Sequence, residues 1–171
     1  GFHGGSAMAM LLYSVIEGST EFDLEQRCIT STRWGAEIGE IVEGEAWGSM
    51  DITEPGAGSD MAVMRTRGEQ DEGGNWLVTG NKIFITSGHA KYHFVIARTE
   101  EDSGADAFSG LKGLSLFLVK TFETGDDGGL VKLASFDGLE EKLGHHGSAT
   151  VSISFDRSPA ELIGERGDGF K

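Results

Sequence analysis

Residues 50–60 read Met-Asp-Ile-Thr-Glu-Pro-Gly-Ala-Gly-Ser-Asp, an apolar, β-branched approach running into a proline and then a loop of small residues. Gly56, Ala57 and Gly58 let a ligand reach the backbone, whose N–H groups can cradle an anion. Thr53 and Ser59 add two hydroxyl donors. A strand ending in a Pro-Gly turn accounts for the same residues equally well. The stretch is not a dinucleotide-binding fingerprint, because Met61 stands at the third glycine position and no apolar helix follows. Nor is it a nucleophile elbow, which needs a serine with glycines two residues to each side.

A second group follows at Lys82-Ile83-Phe84-Ile85-Thr86. Regular alternation puts Lys82, Phe84 and Thr86 on one strand face, presenting charge, aromatic ring and hydroxyl together. The ordinary reading is a cross-strand aromatic beside a surface threonine. Five histidines raise the question of a metal, with His89 and His93 four apart and His145 and His146 adjacent. The first pair falls where a turn enters a strand, and neither has a Cys-rich or His-Glu-x-x-His context. Surface or loop histidines, and no metal, are the expectation.

Thr53-Glu54-Pro55-x-x-Gly58-Ser59-Asp60 resembles the signature of the acyl-CoA dehydrogenases, in which this loop binds FAD in a β-domain between two helical domains. The similarity recurs, in the family's order, at Lys82–Ser87, Lys142–Thr150 and Leu162–Lys171. It covers most of the chain from Glu45 onward and, weakly, the helical part before it. The resemblance implies an α+β fragment. Residues 1–46 would end the N-terminal helical domain, and 47–171 would form the middle domain, a mainly antiparallel β-barrel or sandwich. The C-terminal helical bundle would be absent from this chain, which begins with Gly and is expected to be a piece of a longer protein.

The resemblance also implies roles. The run at 84–86 is commonly Trp-Ile-Thr in the family, so Phe84 takes the place of the aromatic beside the flavin and Thr86 that of the hydroxyl near flavin N5, with Ile85 between them. Phe for Trp removes an indole N–H but keeps the wall. Thr53 would sit at the pyrimidine edge and Gly58 and Ser59 at the pyrophosphate, with Met50 and Ile52 completing the FAD-binding set. Ser59 would also lie near the acyl-CoA substrate. The family's reaction removes a proton α to a thioester while the β-hydride passes to flavin N5. Its base is a glutamate usually found in the C-terminal helical domain, so no catalytic residue is assigned here. Electron transfer flavoprotein as oxidant, a homodimer or homotetramer, and a cytoplasmic or organelle-matrix location are implied with it. Lys142–Thr150 would be a structural return into the sheet, and Leu162–Lys171 the turn toward the C-terminal bundle. Alternatives are an acyl-CoA oxidase or flavin monooxygenase of the same fold and, from another class, a non-catalytic β-sandwich module holding a phosphate or peptide in its glycine loop.

Positioning such groups requires mostly strands. The 27 glycines and two prolines among 171 residues predict many turns joining short strands, in one domain of ordinary size. A net charge of −14 argues against nucleic acid and anionic membrane as partners. Cys28 is alone, so no intrachain disulfide can form, and Ala7–Ile16, the longest apolar stretch, is too short to span a bilayer. Met8, Leu11, Leu12 and Val15 mark the apolar face of a first helix stopped by Gly18. Trp34, Ile38, Ile41 and Val42 mark that of a second, Thr32–Glu43. Strands are expected at 47–53, 64–70, 76–79, 82–86, 92–97, 113–119, 131–133 and 150–155, with turns at 71–75, 80–81 and 123–129 and a mobile acidic loop at 100–109.

Overall fold

The computed structural model describes residues 2–101, 109–144 and 147–169, which form two compact units, Gly1–Gly48 and Ser49–Lys171. The first contains helix α1 (Phe2–Ile16), the hairpin β1 (Glu21–Asp23) and β2 (Cys28–Ser31), and helix α2 (Gly35–Glu43). Gly18, at φ +73°, ends α1 as its position predicts. The face turned inward is not the one its large apolar residues mark. Ala7, Met10 and Ser14 are buried while Met8, Leu12 and Val15 are exposed. Ser14 Oγ satisfies itself by donating to Met10 O (2.8 Å). Helix α2 starts three residues later than expected, behind a buried Trp34 held at φ −112°, and buries Ile41 but leaves Val42 exposed. The β1–β2 hairpin was not foreseen; its local signal is Asp23, whose Oδ1 accepts from the N–H groups of Glu25 and Gln26.

In the second unit, among the described residues, seven strands make one sheet: β3 (Gly48–Asp51), β4 (Arg67–Gln70), β5 (Trp76–Thr86), β6 (Tyr92–Arg98), β7 (Leu114–Lys120), β10 (Ala134–Leu139) and β11 (Thr150–Ile163). β8 (Phe122–Thr124) and β9 (Leu130–Lys132) form a separate hairpin across the predicted polar turn. The pairing closes on itself through β11–β5–β4–β6–β7–β11, with only the β4–β6 step parallel. The ring is a small barrel of the mainly antiparallel kind expected. Its core is Val78, Ile85, Val95, Ala97, Phe117, Val119, Ala134, Val151, Ile153 and Phe155. β7, read from a nearly continuous apolar run, and β6 are both buried almost end to end.

Gly80-Asn81 is not a turn. β5 runs straight through it, and glycine is needed because a Cβ there would lie 2.7 Å from Thr66 Cα. The predicted turn at Asp71–Asn75 is present, with Asp71 Oδ1 accepting from Gly73 and Asn75 N–H at 2.9 Å each and Gly74 at φ +81°. β11 extends well past the expected 150–155 and turns at Arg157 (φ +50°), where its register against β5 shifts. β10 had no counterpart in the sequence reading. Most of the acidic loop, residues 102–108, lies outside the described residues, as do His145, His146, Phe170 and Lys171. Among the described residues no helix is long and apolar enough to cross a membrane.

Candidate functional site

The glycine loop leaves β3 through Ile52 and Thr53 and closes at once into a tight turn. Glu54 N–H donates to Ala57 O (3.1 Å) and Ala57 N–H to Glu54 O (3.0 Å), around Gly56 at φ +87°. Gly58 and Ser59 are exposed beyond it, and among the described residues no protein group accepts from their N–H groups. Asp60 ends the loop by accepting from Ala62 N–H (3.2 Å). Met50 is 40% exposed on β3, while Ile52 and Thr53 are half-buried. Thr53 O accepts from Ile83 N–H (2.9 Å), which brings the loop against β5.

β5 carries the second segment, and a bulge decides what it shows. Lys82 pairs with Ile153 and Ile85 with Val151, so Ile83 and Phe84 together face the single residue Ser152. Phe84 takes φ +59°, a genuine outlier for an aromatic residue, and is 59% exposed. Thr86 is exposed beside it, and Ser87 follows at φ +58°. The extra residue breaks the alternation, which corrects the expected shared face: Lys82 points inward with a side chain 0% exposed, opposite to Phe84 and Thr86. Ile85 is in the core, so only its backbone is available to a ligand.

Behind this surface lie two buried polar clusters. Lys82 Nζ donates to Glu54 Oε1 (2.8 Å) and Ile52 O (3.0 Å), and Glu54 also accepts from the N–H groups of Arg65 (2.7 Å) and Thr66 (3.1 Å). Burial alone would raise the Glu54 carboxyl; the Lys82 charge and hydrogen bond, with the Arg65 N–H, outweigh it and hold it below the usual range. Burial pushes the Lys82 ammonium down, against the opposing pull of Glu54 and Asp51. The second cluster corrects the reading of His93 as a loop histidine. It lies fully buried on β6, with Nδ1 donating to Asp51 Oδ2 (2.8 Å) and Nε2 meeting Thr121 Oγ1 (2.7 Å) and Ala90 O (3.1 Å). Ser49 Oγ donates to Asp51 Oδ1 (2.7 Å). Glu54 and Lys82 each lie inside one of the similar segments, but nothing in the sequence pairs them, and no motif marks the Asp51–His93 cluster.

The other two similar segments are where the sheet needs them. Lys142 Nζ donates to Thr150 Oγ1 (3.0 Å), and Ala149 O accepts from Ser87 N–H (2.9 Å), so this loop returns the chain to the sheet beside Thr86. Residues 164–169 form a turn with Gly164 and Gly167 at positive φ. Apart from these, a hollow of about 330 Å³ within the first unit is lined by Leu11, Ile29, Ile38 and Val42 among small and hydroxyl residues, with no titratable group.

A small closed antiparallel barrel with a glycine loop and a bulged strand at its surface defines the class of domain. Residues 49–158 match the family described as "Acyl-CoA dehydrogenase, middle domain", and the chain belongs to the acyl-CoA dehydrogenase family. It is 36% identical to the broad-specificity linear acyl-CoA dehydrogenase FadE5 of Mycobacterium tuberculosis, over 98% of this chain and 26% of that protein. The crystal structure of an acyl-CoA dehydrogenase from Geobacillus kaustophilus superposes with a TM-score of 0.66 at 30% identity, over 80% of this chain and 34% of the other. A Bacillus anthracis acyl-CoA dehydrogenase complexed with FAD shares the fold, with a TM-score of 0.60 and 24% identity over 77% of this chain and 21% of the other. The chain thus spans about a quarter of the length of the curated relatives it matches.

Proposed function

We propose that this chain supplies the FAD-binding β-domain of an enzyme that dehydrogenates an acyl-CoA thioester between its α and β carbons. The observation that carries the proposal is the bulge in β5. It holds Phe84 outward in a strained conformation, next to an exposed Thr86 and one residue beyond the backbone bond that joins Ile83 to Thr53. Strain of that kind in a bulky residue persists where a ligand surface requires it.

The residues present fit the cofactor by their chemistry. A flavin offers a flat apolar ring with a polar edge and an anionic pyrophosphate; Phe84 offers a ring face, Thr86 and Thr53 hydroxyls, and Gly58 and Ser59 exposed N–H donors. When bound, the flavin supplies the hydride acceptor. Phe84 would wall the ring, the Thr86 hydroxyl would donate near N5, and Thr53 would hold the pyrimidine edge. Gly58 and Ser59 would meet the pyrophosphate, with Ser59 also near the acyl-CoA. Met50 and Ile52 would flank the ring, and Ile85 would contribute main chain alone. We assign no general base within these 171 residues and expect the segment by itself to lack dehydrogenase activity. The boundary near residue 47 between a helical lead-in and the β-domain, a homodimeric or homotetrameric assembly, and electron transfer flavoprotein as oxidant are proposed with the same reading.

The test uses the full-length protein. It should purify yellow with bound FAD, and anaerobic addition of acyl-CoA thioesters should bleach the flavin for at least one chain type. A colourless protein that takes up no added FAD would favour the non-catalytic binding module instead.

A further inference from the structure

Lys82 has no contact with the exposed surface, yet both segments of the proposed flavin site converge on it. Its ammonium bonds the carbonyl of Ile52 and the carboxylate of Glu54, the two residues flanking Thr53, while the next residue on its own strand, Ile83, donates to the carbonyl of Thr53 itself. Thr53 is therefore gripped from three directions by two consecutive residues of β5. The far end of the loop is tied to the same point, because Glu54 also accepts from the backbone of Arg65 and Thr66. The ammonium also meets Met64 Sδ at 3.7 Å, on the same returning segment, and feels the Asp51 charge.

From this arrangement we infer that Lys82 is a positioning residue for FAD: its buried ammonium staples both feet of the glycine loop to the strand that carries Phe84 and Thr86. The inference rests on the flavin reading above. Lysine suits the task because a compact charge on a flexible stem can serve several acceptors in a hole with no exposure, whereas a guanidinium needs a flat, wide slot. Glu54 supplies the opposite charge that lets Lys82 remain in the core, and its own bonds carry the grip to residues 65 and 66.

Removing one partner leaves a lone buried charge, so a single substitution confounds folding with positioning. The neutral pair separates them. In the full-length protein, Lys82→Met should lower both the thermal midpoint and the affinity for FAD. Lys82→Met with Glu54→Gln, which removes both charges but keeps acceptors for Arg65 and Thr66, should recover most of the lost midpoint. It should still bind FAD about tenfold or more weakly, with an altered fine structure in the visible flavin band, because the loop has lost its anchor. A neutral pair that binds FAD as tightly as wild type, with an unchanged spectrum, would show that Lys82 serves the fold alone and overturn the inference. So would Lys82→Met protein that is less stable but binds FAD normally. Wild-type protein that binds no FAD would instead sink the flavin reading, and this inference with it.

Discussion

The two buried clusters of the barrel use similar groups to different ends. Each pairs a carboxylate with a basic side chain, and the acids are only three residues apart, at Asp51 and Glu54. The Asp51–His93 cluster closes among β3, β6, Ala90 and Thr121 just after β7, so it joins strand to strand. The Glu54–Lys82 cluster ends on main-chain groups at both feet of an exposed loop, so it joins the core to a surface. A buried charge pair is weak evidence of stabilisation by itself. Where its spare hydrogen bonds lead is what separates a structural cluster from one that positions a site.

The comparison is broken most directly at His93. His93→Leu takes a hydrogen bond from the buried Asp51 carboxylate and should destabilise by about 1.5–3 kcal/mol, read from urea midpoints. FAD affinity measured on the folded fraction should stay near wild type; a loss equal to that of the neutral Lys82 variants would erase the distinction. Gly80→Ala presses a Cβ against the Thr66 backbone and should cost about 1–3 kcal/mol. Because Thr66 also donates to Glu54, FAD binding should weaken with it, which an equilibrium titration would read.

Thr86→Val sharpens the comparison from the exposed side. It keeps the β-branched shape and removes one donor, worth about 1–3 kcal/mol. Flavin reduction at saturating acyl-CoA should slow by roughly one to two decades with stability and FAD content unchanged. Phe84→Leu should instead loosen FAD, since it removes wall area and no donor. A gentler effect is the acid limb of the stability profile. The Glu54 carboxyl is held low in the folded protein, so its contribution is complete above the ordinary glutamate range and drains away as pH falls through its folded value. Glu54→Gln should therefore flatten the fall of the thermal midpoint below about pH 4.5. Arg67→Ala, breaking the exposed 3.0 Å pair with Glu101, should change stability by less than about 1 kcal/mol.

What could be read from the sequence depended on where a residue's partners lie. β7 was legible because a strand covered on both sides is apolar almost throughout, and Asp71–Asn75 because its turn is made by its own side chains. The family motifs located the glycine loop and the Phe84–Thr86 run, both of which lie at the surface. Lys82 was misplaced because strict alternation assumes an unbroken ladder, and a bulge is visible only once β11 is laid against β5. His93 was missed for a related reason: its partners come from three other segments. In α1 the larger side chains marked a face, but Ala7, Met10 and Ser14 are the residues that are buried. Periodicity reports where greasy residues are, not which side is covered.

Among the described residues β10 pairs with β11 alone, and beyond Ala134 its residues are exposed on both sides. An open edge of that kind is the usual starting point for one molecule to add to another as an extra strand. Here the ladder slips between Phe136 and Gly138, and a carboxylate, Asp137, stands at the slip on a chain of net charge −14. An incoming strand would meet a kinked template and a repelling charge. A kink and a charge are the features by which exposed edges discourage such pairing, and Asp137 is at the same time fastened to the barrel, since it accepts from Ser154 Oγ on β11.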